Sequence, residues 1–294
     1  MQLRTDLAIE AREIAGEEIS GVDFTEYREN GMAISRLTVK TDKAGKLLHK
    51  EKGAYITVDL PPLTDNFTNT DKRLKTIGEE IRRLLPVNGL ALVCGLGNVE
   101  ITPDALGPKT SAGILATRHI TGELARSTGL DRLRPVAVLT TGVTGQTGIE
   151  TGEYLLSITK KIKPSVIIAV DALASRRLER LGRTLQISNT GISPGAGVGN
   201  HRTKINSETM GIPVIAIGVP TVVDIATMAI DLLNLKDESK ANSLKNKLTP
   251  GGRKMIVTPK EVDLLIDRAS KLISMSINYA LHKGLDLEEL AMLV

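Results

Sequence analysis

Leu90–Lys109 reads LALVCGLGNVEITPDALGPK, and the fold follows from it. Leu90 to Cys94 is a short apolar run bounded by glycine, the pattern of a strand buried on both faces. Gly95-Leu96-Gly97-Asn98 then demands a sharp turn in which backbone can approach backbone closely. Thr102-Pro103-Asp104-Ala105-Leu106-Gly107-Pro108 follows, with an acid between two prolines just ahead of a helical stretch. In an open α/β sheet, ligands bind at the carboxyl ends of the strands. Asp104 is therefore the first candidate for chemistry.

A second run, Pro164 to Asp171, repeats the pattern of a buried strand ending in an acid. The spacing places Asp171 at the carboxyl end of its strand, with Ala172 and Leu173 opening a helix. In one parallel sheet Asp104 and Asp171 then face the same crevice. The glycine-rich stretch 189–200 (NTGISPGAGVGN) is expected to loop over it. Two carboxylates sharing a cleft resist joint ionisation, so one keeps a proton as acid while the other activates water. The plainer reading is that each aspartate caps a helix.

From Leu90 onward the pattern alternates strand and helix. Strands are expected at 90–95, 135–140, 165–171, 184–188 and 213–218, with helices near 110–126, 148–163 and 173–181. That order implies a parallel sheet covered on both faces. Ahead of it, 33–41 and 54–60 read as paired strands around a turn at 42–45, and 71–85 has helical spacing. Beyond it, 221–235 reads as a helix, 236–253 as a polar exposed loop, and Thr258-Pro259-Lys260-Glu261 as the start of a long amphipathic helix.

Composition narrows the function classes. The chain has 294 residues and 41% hydrophobic content, ordinary for a globular protein. No apolar run approaches membrane-spanning length, and the N-terminus lacks a signal-peptide core. The single cysteine, Cys94, excludes an internal disulfide framework and suits a reducing cytoplasm. It lies within a predicted strand, as a buried structural thiol. A net charge of +4 without a basic block, and aromatics at 2%, give little support to direct nucleic-acid binding. GLGN lacks the third glycine of a dinucleotide loop, and Gly142–Gly148 lacks the lysine of a phosphate loop. The four histidines, His49, His119, His201 and His282, show no paired ligand spacing, so no metal site is assigned.

RTDLAIEA at 4–11, GLGN at 95–98, TPDALGPK at 102–109, GVTGQTGIET at 142–151, IIAVDALASR at 167–176, GISPGAGVGN at 191–200, GIPVIAIGVPTVVD at 211–224 and VTPKEVD at 257–263 together resemble the germination protease family of spore-forming bacteria. The resemblance spans nearly the whole chain in order. It implies an atypical aspartic-type endopeptidase that starts the degradation of small acid-soluble spore proteins in the spore core during germination. Asp104 and Asp171 match the family's proposed catalytic aspartates, with Gly95, Gly97 and Asn98 as supports of the site. The implied fold is a three-layer αβα sandwich with a mainly parallel sheet, like that of hydrogenase maturation endopeptidases. A homotetramer is implied, made as a zymogen that removes its own short N-terminal piece, with no cofactor and no metal.

Family substrates are cut within a motif resembling Thr-Glu|Phe-Ala-Ser-Glu. Thr5-Asp6-Leu7-Ala8-Ile9-Glu10 has the same layout, so cleavage is expected between Asp6 and Leu7. Residues 1–6 then form the pro-segment and 7–294 one peptidase domain. The pro-segment is shorter than usual in the family, 236–253 is shorter than the insert many members carry, and Asn189 stands where an acid is common. Two other readings remain: a metal-dependent maturation-type endopeptidase with both aspartates as ligands, and a non-enzymatic ligand-binding α/β protein.

Overall fold

The structure, a computed structural model, describes residues 5–16, 18–63, 71–194, 203–235, 237–253 and 255–294. Among the described residues, nine strands form one sheet. They are β1 (Val22–Glu29), β2 (Met32–Val39), β3 (Gly53–Asp59), β4 (Ala91–Gly95), β5 (Val136–Thr140), β6 (Val166–Ser175), β7 (Thr184–Ser188), β8 (Val214–Asp224) and β9 (Ile256–Val257). The order is β1-β2-β3-β7-β8-β6-β4-β5, with β9 beside β8. The half that follows Leu90, β8-β6-β4-β5, is parallel as predicted. β1, β2, β3 and β7 extend it in antiparallel fashion, so β7 belongs to the predicted strand set but reverses direction.

The helices are α1 (Ala8–Ala15), α2 (Asp42–Leu48), α3 (Lys72–Leu84), α4 (Leu106–Ala112), α5 (Gly122–Thr128), α6 (Thr144–Thr147), α7 (Thr151–Ile162), α8 (Ser207–Met210), α9 (Ile225–Leu232), α10 (Glu238–Leu248), α11 (Val262–Leu281) and α12 (Leu287–Leu293). Alternation along the central strands builds the two outer layers. Ala91, Val93, Val166, Ile168 and Val170 face one core, closed by α3, α4 and α11. Leu92, Cys94, Ile167 and Ala169 face the other, with Leu155 of α7 and Met210 of α8. Strands buried on both faces read as unbroken apolar runs, which is why they were legible in the sequence. Cys94 is fully buried; burial, then the charge of Asp171, pushes its thiol well above the usual range. No helix among the described residues is long and apolar enough to cross a membrane.

The structure corrects several expectations. β6 does not stop at Asp171: Ala172 and Leu173 continue the strand to Ser175, and a 3-10 turn follows at Leu178–Arg180. The ladder with β8 carries it on past a bulge between Leu173 and Ala174, and this pairing overrides local helix propensity. β8 likewise continues to Asp224, so α9 starts later than predicted. The helix expected over 110–126 divides into α4 and α5. Between them Thr117 binds the start of β5, its hydroxyl donating to the Arg134 carbonyl at 2.6 Å and accepting the Val136 N–H at 3.0 Å. The predicted 42–45 turn is the start of α2, capped by Thr41. The stretch 236–253 contains α10, for Asp237 accepts the Ser239 and Lys240 N–H groups as its cap. The long helix expected to start at Thr258-Pro259 starts at Val262, with Glu261 in the cap position, while the Thr258 hydroxyl donates to the Thr221 carbonyl at 2.9 Å. The N-terminal stretch holds α1, which packs on β2 and α2 through Ala8, Ala11, Leu37 and Leu48.

Candidate active site

β4 ends at Gly95, and the chain turns through Leu96-Gly97-Asn98 into a 3-10 turn at Thr102–Asp104. Leu96 N–H donates to the Val170 carbonyl at 2.8 Å, tying the turn to β6. Gly97 has φ +110°, and a Cβ there would stand 2.1 Å from the Asp104 carbonyl oxygen, so the loop lies against the backbone of the aspartate. Asn98 N–H donates to Asp104 Oδ2 at 2.8 Å. Asn98 Oδ1 accepts from Gln146 Nε2 at 2.7 Å, which links this loop to the Gly142–Gly148 connection. Gly95 packs on Gly107 of α4, where a Cβ would stand 2.2 Å from the Gly107 carbonyl oxygen. Thr221 of β8 donates its hydroxyl to the Pro103 carbonyl at 2.7 Å. Asp104 is thus held from three sides, and it caps no helix: α4 begins behind Ala105 without a side-chain cap.

Asp171 lies within β6 beside Gly218 of β8 and is 8% exposed. β4 stops opposite Val170, so Asp171 still stands at the carboxyl end of the parallel core. Its Oδ1 accepts the Ala172 N–H at 2.9 Å. Asp104 and Asp171 line one cavity of about 1300 Å³. Gly97, Pro103, Gly142, Thr221 and Gly191 to Pro194 share its wall. The remainder of the glycine-rich stretch, 195–200, and His201 lie outside the described residues. Among the described residues no group of three or more His, Cys, Asp or Glu side chains is placed to hold a metal ion.

The N-terminal segment enters the same cavity through Thr5 and Asp6. Asp6 N–H donates to the Ala174 carbonyl at 2.9 Å, and Ala174 N–H donates to Asp6 Oδ2 at 2.7 Å. The Asp6 carbonyl accepts from Lys50 Nζ at 2.8 Å and from Gln186 Nε2 at 3.0 Å. Leu7 is fully buried against Ile9 and Leu173, and its N–H donates to Thr5 Oγ1 at 3.0 Å. Glu10, also fully buried, accepts from Thr5 Oγ1 and from the N–H groups of Arg176 and Arg177 at 2.8 and 3.0 Å. Residues 1–4 of the segment lie outside the described residues.

A family model described as Germination protease matches residues 3–235 and 232–293. The chain belongs to the germination protease family. It is 44% identical to the Germination protease of Clostridium tetani (strain Massachusetts / E88), over 99% of this chain and 98% of the relative. It is 42% identical to that of Caldanaerobacter subterraneus subsp. tengcongensis, with the same coverage, and 35% identical to that of Priestia megaterium, over 97% and 95%. Among solved structures, the [NiFe] hydrogenase maturation protease HycI from Thermococcus kodakarensis KOD1 aligns at a TM-score of 0.36 and 17% identity, over 67% of this chain and 98% of that one.

Membership makes the chain a peptidase of spore germination, and the structure adds residues, in and behind the cavity wall, that sequence reading passed over. Gln146, Gly107 and Thr221 stabilise the aspartate loop, and Lys50, Gln186 and Ala174 hold Asp6. Gln186 did carry a signal, a polar side chain inside the buried strand Thr184–Ser188. Lys50 carried none, for it sits in a charged connection between α2 and β3. Asn189 turns from the cavity: its Oδ1 accepts the Ala54 N–H at 2.8 Å and closes the β3–β7 edge.

Proposed function

We propose that Asp104 and Asp171 act as an aspartic-type pair that hydrolyses peptide bonds in small acid-soluble spore proteins. The observation that carries this is the presence of both carboxylates on the wall of one cavity at the carboxyl edge of the parallel strands, Asp104 on the turn after β4 and Asp171, buried, on β6. The ionised member takes a proton from water as the water attacks the scissile carbonyl. The protonated member polarises that carbonyl and then supplies the leaving nitrogen with a proton. The two titrate as a coupled unit, so neither role is assigned to one residue.

In this reading the chain is a zymogen, processed between Asp6 and Leu7, with 7–294 as one domain around the shared sheet. The position of Asp6 in the cavity supports it. Ala174, which pairs with Asp6, lies three residues past Asp171 on β6, about 10 Å at ~3.3 Å per residue. The bond is therefore gripped away from the pair, and the segment must release before it can be cut. Exposed Leu232, Leu233, Met255 and Ile256 support assembly as a homotetramer, and the substrate places the enzyme in the spore core.

The test is incubation with a small acid-soluble spore protein, comparing wild type with Asp104→Asn and Asp171→Asn, with and without chelator. The reading expects cutting after an acid, no effect of chelator, and no cutting by either variant. Inhibition by chelator would make the aspartates metal ligands. Normal cutting by both variants would overturn the site.

A further inference from the structure

We propose that the main-chain N–H of Gly97 donates to the oxygen of the scissile carbonyl as that oxygen gains charge, which makes Gly97 a catalytic residue beside the two aspartates. The inference rests on the endopeptidase reading above and adds the donor that meets the developing oxyanion.

Three successive N–H groups follow the end of β4, and the outer two are paired. That of Leu96 donates to the Val170 carbonyl and that of Asn98 to Asp104 Oδ2, each at 2.8 Å. The N–H of Gly97, between them, has no partner among the described residues. Gly97 is buried, and an unpaired main-chain donor in a buried residue is rare, because folding takes its water away without replacement. Gly97 lines the cavity together with Asp104 and Asp171. A Cβ at Gly97 would stand 3.3 Å from the Asp104 carboxyl carbon, so this peptide lies directly against one of the two acids. A substrate oxygen in the cavity supplies the missing acceptor.

The donor is also fixed in advance. Leu96 is tied to β6, Asn98 to Asp104, and Asn98 Oδ1 to Gln146 Nε2 at 2.7 Å. A dipole held in this way needs no reorganisation when charge appears. As water bonds to the scissile carbon, its proton passes to the ionised aspartate and the carbonyl π pair moves onto oxygen. The protonated aspartate and the Gly97 N–H hold that oxygen. On collapse the pair re-forms the C=O bond, the C–N bond breaks, and the protonated aspartate gives its proton to nitrogen. The Gly97 proton is never transferred. Its hydrogen bond is strongest while the oxygen is charged, so it lowers the barrier more than it tightens substrate binding.

The experiment turns the Leu96–Gly97 amide into an ester, Gly97→glycolic acid, in the full chain by suppressor translation. This removes one donor and keeps the shape. The Leu96 carbonyl accepts no hydrogen bond among the described residues, so no second bond is weakened. Two quantities are read: cutting of a small acid-soluble spore protein, and binding of a Thr-Glu-Phe-Ala-Ser-Glu peptide whose cut amide is replaced by a phosphinate, a tetrahedral anion. The ester chain is expected to lose roughly 100-fold or more in kcat with KM within about threefold, and to bind the phosphinate peptide more weakly by a similar factor. Unchanged kcat overturns the assignment and leaves the endopeptidase reading, which Asp104→Asn and Asp171→Asn test separately. A fall in kcat with unchanged phosphinate binding assigns the loss to a disturbed loop and also overturns it. If the ester chain does not fold, the wild-type chain decides: with leucine and glycine labelled, the Gly97 amide proton is expected to move downfield in the NMR spectrum when the phosphinate peptide is added, and a proton that stays in place overturns the proposal. A wild-type chain that cuts nothing sinks both readings.

Discussion

Gly107 shows packing overruling propensity at a single residue. It sits in the first turn of α4, where alanine would ordinarily favour the helix by ~1 kcal/mol. A Cβ there would stand 2.2 Å from the Leu96 carbonyl oxygen and 2.4 Å from that of Val170. Both are backbone atoms of the loop and strand that carry the aspartates, so neither can step aside cheaply. Overpacking of this kind costs about 1–3 kcal/mol, which exceeds the propensity gain. Gly107→Ala is therefore expected to lower stability to denaturant and to cut peptide hydrolysis by roughly tenfold or more, through displacement of Asp104. A variant as stable and active as wild type would show that the loop tolerates the shift. Gly95 and Gly97 were legible as a tight turn, but their partner Gly107 was not: its role depends on what approaches from another strand.

Two contacts decide matters between elements. The 3-10 turn carrying Asp104 is tied to β8 by the Thr221 hydroxyl on the Pro103 carbonyl. Thr221→Val keeps the shape and removes the donor, for a loss of ~1 kcal/mol and a drop in kcat. Unchanged kcat would mean that Asn98 and the glycines hold the turn alone. The second contact anchors α1 to the end of β6. Glu10 accepts two backbone N–H groups there, and Arg180 approaches it at 3.6 Å. Glu13 adds ion pairs to Arg177 and Arg180 at 3.2 and 2.9 Å. Glu10→Ala leaves two backbone donors, that of buried Arg176 and that of half-buried Arg177, without their acceptor, at about 2 kcal/mol. Faster hydrogen exchange along Ala8–Ala15 and faster appearance of Leu7 as a new N-terminus are expected. Exchange at the wild-type rate would remove Glu10 from the anchor. β6 was predicted to end at Asp171 because Ala172 and Leu173 have no strand preference of their own; the extra rungs of the ladder come from β8.

At the scale of the whole molecule, His282 links stability to pH. It closes α11, is fully buried, and burial lowers its pKa to about 4, with Arg134 acting in the same direction. The unfolded chain takes up this proton near the ordinary value of ~6.5. The stabilising contribution is thus complete above pH ~6.5 and is lost as pH falls from there toward about 4. The full span is on the order of 3 kcal/mol. Urea denaturation at neutral pH and at mildly acidic pH, about 5, should show lower stability in acid, and His282→Leu should flatten that difference. An equal pH slope in the variant would assign the effect to other groups.

The sequence by itself determined the parallel core, its strands and the two acids at its carboxyl edge, because a strand buried on both faces must be apolar throughout and a turn without room for a Cβ must be glycine. Only the tertiary structure decided how far β6 and β8 run, that β7 runs antiparallel, and that Lys50, Gln186 and Ala174 meet at Asp6. Those outcomes depend on partners far apart in the chain, whose hydrogen bonds and charges exist only once the sheet has assembled.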